Sequence, residues 1–400
     1  MPAVVGLYLG VVQFFFAATW IVYVVYLPQL AAQAGIGQGA VAAILMADQL
    51  VFVCADYATG VASDRVARLV GRLGLTALVA TLLSCVAFFA LPWVAPAGAP
   101  VAFIAATMLW AVTSSALRAP PLALVGKHAA RPAQPLLVAL SMLGLGVANA
   151  AAPFIGLALR GVDPRLPFAL ASAALAAVTL GLVAAERKLA GSGPRDAGAE
   201  PKDREVTTRP QAPLFLVAVG LAALAFQVHV FIDSGPLYLR HAPAVQLPML
   251  SPVFWIGFNL ALLPASWAAR RWPTARVMAV ATIVAAAGAG LARAAPGLPL
   301  LLAMQFFAGA GWAGAVVAAF AWATRHGAAA GKFAGALSSL LAVATLIRMA
   351  GVVAGWPQAP DLRDAIAWWP AAGWLAASAV VFGARRWRRR RGSARQGVAA

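Results

Sequence analysis

Twelve stretches of this chain are each about 20 residues of nearly unbroken apolar side chains, the length that carries an α-helix across the hydrocarbon of a bilayer. They fall at residues 5–27, 38–62, 73–94, 100–122, 134–158, 166–185, 213–237, 250–269, 277–295, 298–322, 333–356 and 366–384. Lipid offers the backbone no hydrogen-bonding partner, so each stretch must satisfy its own N–H and C=O groups, as a helix does. Composition agrees. The chain is 62% hydrophobic and 10% charged, against roughly 45–50% and 25% for a soluble domain. The apolar–polar alternation of an outer-membrane barrel strand is missing. The expected fold is an all-α membrane protein of twelve transmembrane helices.

One segment interrupts the series. Residues 187–212 are polar, carry both signs of charge and contain Gly, Ser and Pro, so they read as a linker. The expected organisation is a first six-helix bundle over 1–186, the linker, a second six-helix bundle over 213–384 and a basic tail over 385–400. The first apolar run, Val5 to Pro28, is too long for the core of a signal peptide and is expected to be a retained span. Cytoplasmic loops are enriched in Lys and Arg. With the N-terminus inside, 24 of the 30 basic residues fall on the inner side, Arg118 and Lys127 among them. Both termini are therefore expected in the cytoplasm, and the protein in the inner (plasma) membrane. The same bias accounts for the net charge of +18 without calling on nucleic acid. The tail, with Trp387 in its arginine run, is suited to the anionic lipid headgroups of the inner leaflet.

The loop after the second span reads Gly60-Val-Ala-Ser-Asp64-Arg65-Val-Ala67-Arg68-Leu69. It resembles the signature loop of the major facilitator superfamily, Gly-x-x-x-Asp-Arg/Lys-x-Gly-Arg-Arg/Lys, and stands in the expected place. Ala67 and Leu69 depart from the pattern. The resemblance implies two six-helix bundles around a central cavity, with Gly60, Asp64, Arg65 and Arg68 forming a cytoplasmic gate. In span 5, Ala148-Asn149-Ala-Ala-Ala152-Pro153-Phe-Ile-Gly156 is similar in part to a Gly- and Pro-containing pattern of the family's drug–proton antiporters. Those proteins also carry an arginine in span 4, and here Leu109 stands at the corresponding place, which argues against that subclass.

Ionisable groups inside a span are costly, about 2.5–3.5 kcal/mol at mid-depth on insertion scales, and mark functional candidates. Asp48 lies near the middle of span 2 and Asp56 nearer its inner end. Eight residues apart on a helix, they cannot touch. In span 7, His229 and Asp233 share one face at i,i+4 spacing, an arrangement suited to a proton relay. These four are the proton-coupling candidates. Arg348, in span 11, is too central to reach the interface easily and could meet an anionic substrate group or pair with an aspartate. Gln13, Asn149, Asn259 and Gln305 lie in spans 1, 5, 8 and 10. The resemblance places these helices around the cavity, so the four join Arg348 as cavity candidates. Trp20, Tyr23, Tyr26, Trp93, Trp356, Trp368 and Trp369 stand toward span ends and read as an interfacial aromatic belt rather than a ligand cage. Cys54 and Cys85 read as buried small apolar residues.

The histidines show no metal spacing, and no GxSxG, HExxH or GxxxxGK[ST] motif is present. No catalytic residue, cofactor or metal is expected, nor an ATP-driven pump within this chain. The expected function is secondary active transport of a small organic solute by alternating access, coupled to protons, by a monomer. The alternatives are an uncoupled facilitator of the same fold and a membrane sensor or accessory subunit that does not transport.

Overall fold

A computed structural model describes residues 2–69, 72–191 and 212–396, with the side chains of residues 2, 68, 69, 360, 363 and 384–396 left aside. Most of the expected linker, the end of the tail and the Arg68 side chain lie outside the described residues. Among the described residues there is no strand, and twelve helices are long and apolar enough to cross a membrane. They are span 1 (Ala3–Gln33), span 2 (Gln38–Ala67), span 3 (Leu73–Ala97), span 4 (Pro100–His128), span 5 (Arg131–Ala158) and span 6 (Arg165–Gly191). After the linker come span 7 (Ala212–Leu239), span 8 (Ala244–Arg271), span 9 (Thr274–Arg293), span 10 (Leu298–Thr324), span 11 (Gly327–Val353) and span 12 (Asp364–Gly383).

Six of the helices run a turn or more past the apolar stretches at one end. Intrahelical hydrogen bonds do not require apolar side chains, so a helix continues through polar residues where it has neighbours to pack on. Span 2 reaches Ala67 and span 4 reaches His128, which draws Asp64, Arg118 and Lys127 into helices. Span 6 continues to Gly191 and takes the first residues of the expected linker. Its Glu186 turns back, and its carboxylate accepts the backbone N–H of Leu73 at 3.0 Å and of Gly74 at 2.8 Å, capping the first turn of span 3.

Within the first bundle, span 1 packs on spans 5 and 6, and span 3 on spans 4 and 6. Within the second, span 10 lies between spans 8 and 9, and span 12 packs on spans 7 and 9. Small residues set the closest approaches, as they do where helices associate in lipid. Gly10 and Gly144 bring the backbones of spans 1 and 5 into contact, and Gly309 does the same for span 10 against Phe254 of span 8. The bundles meet along two seams, span 2 against span 11 and span 5 against span 8. Large apolar side chains point away from both, with Val86, Leu170 and Leu260 each more than 60% exposed. Such a surface belongs in lipid. Cys54 is also exposed, on the periphery of span 2, against the expectation of burial.

The basic segments predict the orientation. In a background with Cys54 and Cys85 replaced by Ser, Asp163→Cys between spans 5 and 6 is expected to react with a membrane-impermeant maleimide added outside intact cells. Lys188→Cys, at the far end of span 6, is expected to react only after the membrane is permeabilised. The reverse pattern would invert the topology.

Candidate functional site

A cavity of about 270 Å³ lies between the bundles and is lined by both. Its polar wall includes Gln13, Gln49 and Ser114 from spans 1, 2 and 4, Asn149 from span 5, Gln227 from span 7, and Ser338 and Thr345 from span 11. The rest is largely aromatic, with Trp20, Phe52 and Trp110 on one side and Phe226, Trp255 and Trp312 on the other. Trp20 therefore belongs to the cavity and not to an interfacial belt. Its indole stacks on that of Trp110 at 5.8 Å. Tyr23 and Tyr26 are buried too, whereas Trp93, Trp356 and Trp368 remain exposed near span ends. Position along a span did not distinguish them, because the direction of a side chain around its helix decides which it meets.

Arg118 is the charged residue of the cavity wall among the described residues, and its placement follows from two prolines. Pro120 and Pro121 lack the N–H that would continue the hydrogen bonding of span 4, and their rings crowd the carbonyls four residues back. The span accordingly narrows to a 3-10 turn over Ser115–Leu117 before resuming at Pro120. The Leu117 carbonyl, left without the N–H of residue 121, accepts instead from Gln13 Nε2 at 2.7 Å. At this bend Arg118 turns toward span 2. Its Nη1 donates to Asp56 Oδ2 at 2.8 Å, and its guanidinium lies 3.9 Å from the centre of the Phe52 ring. Counted from sequence as a loop cation, Arg118 is in fact a cavity residue. The Pro-Pro pair beside it was the available signal.

Asp48 does not line the cavity. It is fully buried behind the wall, where Oδ2 accepts from the Tyr23 hydroxyl at 2.7 Å and Oδ1 has no partner. Its neighbour Gln49 does face the cavity.

In span 7 a π-helical turn occupies His229–Asp233. Pro236 explains it, since Ile232 sits four residues before that proline and cannot form its usual bond. The Ser234 hydroxyl donates to the His229 carbonyl at 2.7 Å. His229 is fully buried, with Nε2 at 2.9 Å from Gln305 Oε1 and Nδ1 at 3.9 Å from Asp233 Oδ2. Asp233 in turn meets Arg293 of span 9 at 3.5 Å. His229, Asp233 and Gln305 thus form one network inside the second bundle, and none of them lines the cavity. Asn259 also stays outside the lining and packs against Gly146 where spans 5 and 8 cross. Asn149 lines the cavity, donating to the Leu145 carbonyl at 2.9 Å. Arg348 stands one turn beyond Thr345. Its Nε donates to Gln227 Oε1 at 3.1 Å, and its guanidinium lies 4.8 Å from the centre of Phe231, so it touches two cavity residues.

The two ends of the cavity differ. Toward the end that carries the 2–3 loop, Gly60 lies against Gly331 and Gly335 of span 11, so closely that a Cβ at Gly60 would collide with the Gly331 carbonyl. Asp64 Oδ1 accepts the N–H of Gly331 and Oδ2 that of Lys332, each at 2.8 Å. A carboxylate from one bundle thereby caps a helix N-terminus of the other, where backbone donors and the helix dipole both favour negative charge. Farther in, the Ser339 hydroxyl donates to the Val53 carbonyl at 2.8 Å. At the opposite end, a further cavity of about 280 Å³ lies among spans 5, 7 and 8 and shares Asn149, Phe231 and Trp255 with the first. Arg65 is exposed near Tyr57 and takes no part in the closure.

The family model of the Major Facilitator Superfamily matches residues 9–347. The chain belongs to that superfamily. It is therefore a membrane transporter by family, with twelve apolar helices in the corresponding fold. No curated protein matches it by sequence. Solved structures similar to it include a bacterial homologue of the iron transporter ferroportin in an outward-facing state, 14% identical over 96% of this chain and 99% of that one, with a TM-score of 0.70. The E. coli fucose:proton symporter FucP is 14% identical over 95% and 97%, with a TM-score of 0.61. A human organic anion transporter is 15% identical over 96% and 98%, with a TM-score of 0.64. At such identities the likeness is one of fold.

The Asp64 cap predicts a conformational effect. A charged side chain at a helix N-terminus contributes about 0.3–1 kcal/mol, and up to about 2 kcal/mol when partly buried. Asp64→Asn is therefore expected to shift the balance of conformers between about twofold and thirtyfold away from this closed end. The readout is faster maleimide labelling of Ser338→Cys from the 2–3 loop side, with expression unchanged. Gly60→Leu, which obstructs the same closure, is expected to act in the same direction and more strongly.

Proposed function

We propose that this chain is a secondary active transporter that moves a small organic solute across the cell's inner (plasma) membrane by alternating access, driven by protons. The observation that carries the reading is the cavity shared by two bundles and sealed at one end by the Gly60 contact and the Asp64 cap. Both seals are formed between bundles, so rocking one bundle against the other breaks them and opens that end. The positive-inside bias supports assigning the sealed end to the cytoplasm, which makes this conformer the one facing outward. The working unit is a monomer, with its basic tail on anionic lipid.

Proton coupling rests on acids held away from bulk water beside partners that can release them. Asp56 has the most direct link to the cavity, because its partner Arg118 is part of the wall. A ligand that draws Arg118 away would leave Asp56 without its counter-charge. Asp48 is linked through Tyr23 and Gln49, and Asp233 through His229 and Gln305.

The test is reconstitution of the full chain in liposomes with an imposed pH gradient, offered a defined library of organic metabolites and drugs, with uptake read by mass spectrometry. Wild type is expected to concentrate at least one compound in a manner abolished by a protonophore. Asp56→Asn and Asp48→Asn, which keep side-chain shape, are each expected to abolish gradient-driven accumulation while exchange of that compound at equal concentrations continues. Accumulation with unchanged pH dependence in both variants would remove these acids from the coupling. It would move the role to His229 and Asp233. No flux of any compound would sink the transporter reading.

A further inference from the structure

The chemistry of the cavity wall is one-sided in charge. Arg118 lines it and Arg348, outside the lining, contacts two of its residues, Gln227 and Phe231, while no acidic side chain lines it among the described residues. The nearby acids lie outside the wall, Asp56 paired with Arg118, Asp48 buried against Tyr23 and Asp233 paired with Arg293. The two arginines also differ from each other. Arg118 already has a carboxylate at 2.8 Å and a ring beneath it. Arg348 has neutral partners only, Gln227 at its Nε and Phe231 under its plane. Its terminal nitrogens have no acidic partner among the described residues. A guanidinium at this depth is expensive without a counter-charge. Held by Gln227 and Phe231, it presents a planar fork of donors that suits a carboxylate.

The remaining wall describes the rest of the ligand. Each bundle contributes a stacked aromatic pair, Trp20 with Trp110 at 5.8 Å and Phe226 with Trp312 at 4.6 Å. Rings offer their faces to other rings, and such pairs gain about 0.5–1.5 kcal/mol beyond area burial. The volume of about 270 Å³ falls just under the roughly 300–1,000 Å³ usual for drug-sized ligands, which limits the body of the ligand to one or two rings. We propose that the cargo is a small aromatic organic monoanion, its carboxylate held by Arg348 and its ring system lying among the aromatic side chains of both bundles. This rests on the transporter reading and narrows it. A cationic cargo would meet two arginines and no available acid.

Calorimetric titration of the purified full chain with four probes tests the assignment. The probes are 2-naphthoate, its neutral amide 2-naphthamide, 2-naphthylmethylammonium, and octanoate as an anion without rings. 2-Naphthoate is expected to bind about tenfold tighter than the amide, the usual worth of a hydrogen bond to a charged group, with the ammonium weakest and octanoate weaker than 2-naphthoate. Arg348→Gln is expected to cost 2-naphthoate about tenfold and the amide less, with an unchanged gel-filtration profile showing that the variant is folded, while Arg348→Lys retains part of the preference. Equal or tighter binding of the ammonium, a smaller effect of Arg348→Gln on 2-naphthoate, or no binding by any probe overturns the proposal. Octanoate binding as tightly as 2-naphthoate overturns its aromatic part. Counterflow in proteoliposomes separates the two readings. Binding of 2-naphthoate without exchange keeps the ligand class and sinks transport, whereas exchange of the ammonium keeps transport and sinks the class.

Discussion

The Asp64 carboxylate accepts two backbone N–H bonds from the first turn of span 11, and it does so across the gap between two bundles. Those N–H groups have no partner within their own helix, so the interaction satisfies donors that would otherwise need water. It forms only because Gly60, one turn earlier on span 2, has no side chain to hold span 11 away. Packing, capping and charge thus act at one place. Spans 2 and 11 meet at this end, while at the other a cavity of about 280 Å³ lies among spans 5, 7 and 8.

Two prolines do comparable work inside the bundles. Pro121 frees the Leu117 carbonyl, which Gln13 then occupies, and the bend turns Arg118 into the cavity. Pro236 widens a turn of span 7 and places His229 against Gln305. In lipid a freed backbone carbonyl must find a donor within the protein. Here the Gln13 amide serves the Leu117 carbonyl, and the Ser234 hydroxyl serves the His229 carbonyl within the π-helical turn. Some polar residues of the spans are thereby accounted for without cargo. Gln305 completes a network inside one bundle and Asn259 packs at a crossing, whereas Gln13 both patches a carbonyl and faces the cavity.

The ion pairs share a further property. Asp56 with Arg118 and Asp233 with Arg293 are each contained within one bundle, while the Asp64 cap joins the two. Under the proposed alternating access, rocking the bundles breaks the cap and leaves the internal pairs intact, so a change in those pairs is left to a ligand or a proton.

Sequence alone determined the membrane class, the twelve spans and the signature loop, because each depends on local features: length of apolar run and residues at fixed spacing. Asp64 could be named as a gate candidate from the resemblance of its loop, and Asp48 and Asp56 as intramembrane acids from their spans. Their partners could not be named. Tyr23, Arg118 and the first turn of span 11 lie 25, 62 and more than 260 residues away, and which of them each acid meets depends on how the helices are rotated and bent. The same holds for Trp20 and Arg118, read as a belt residue and a loop cation, and for the division of Gln13 and Asn149 from Gln305 and Asn259. A span's depth in the membrane follows from its sequence. The face it presents to its neighbours follows from close packing among all twelve helices, and only the tertiary structure decided that.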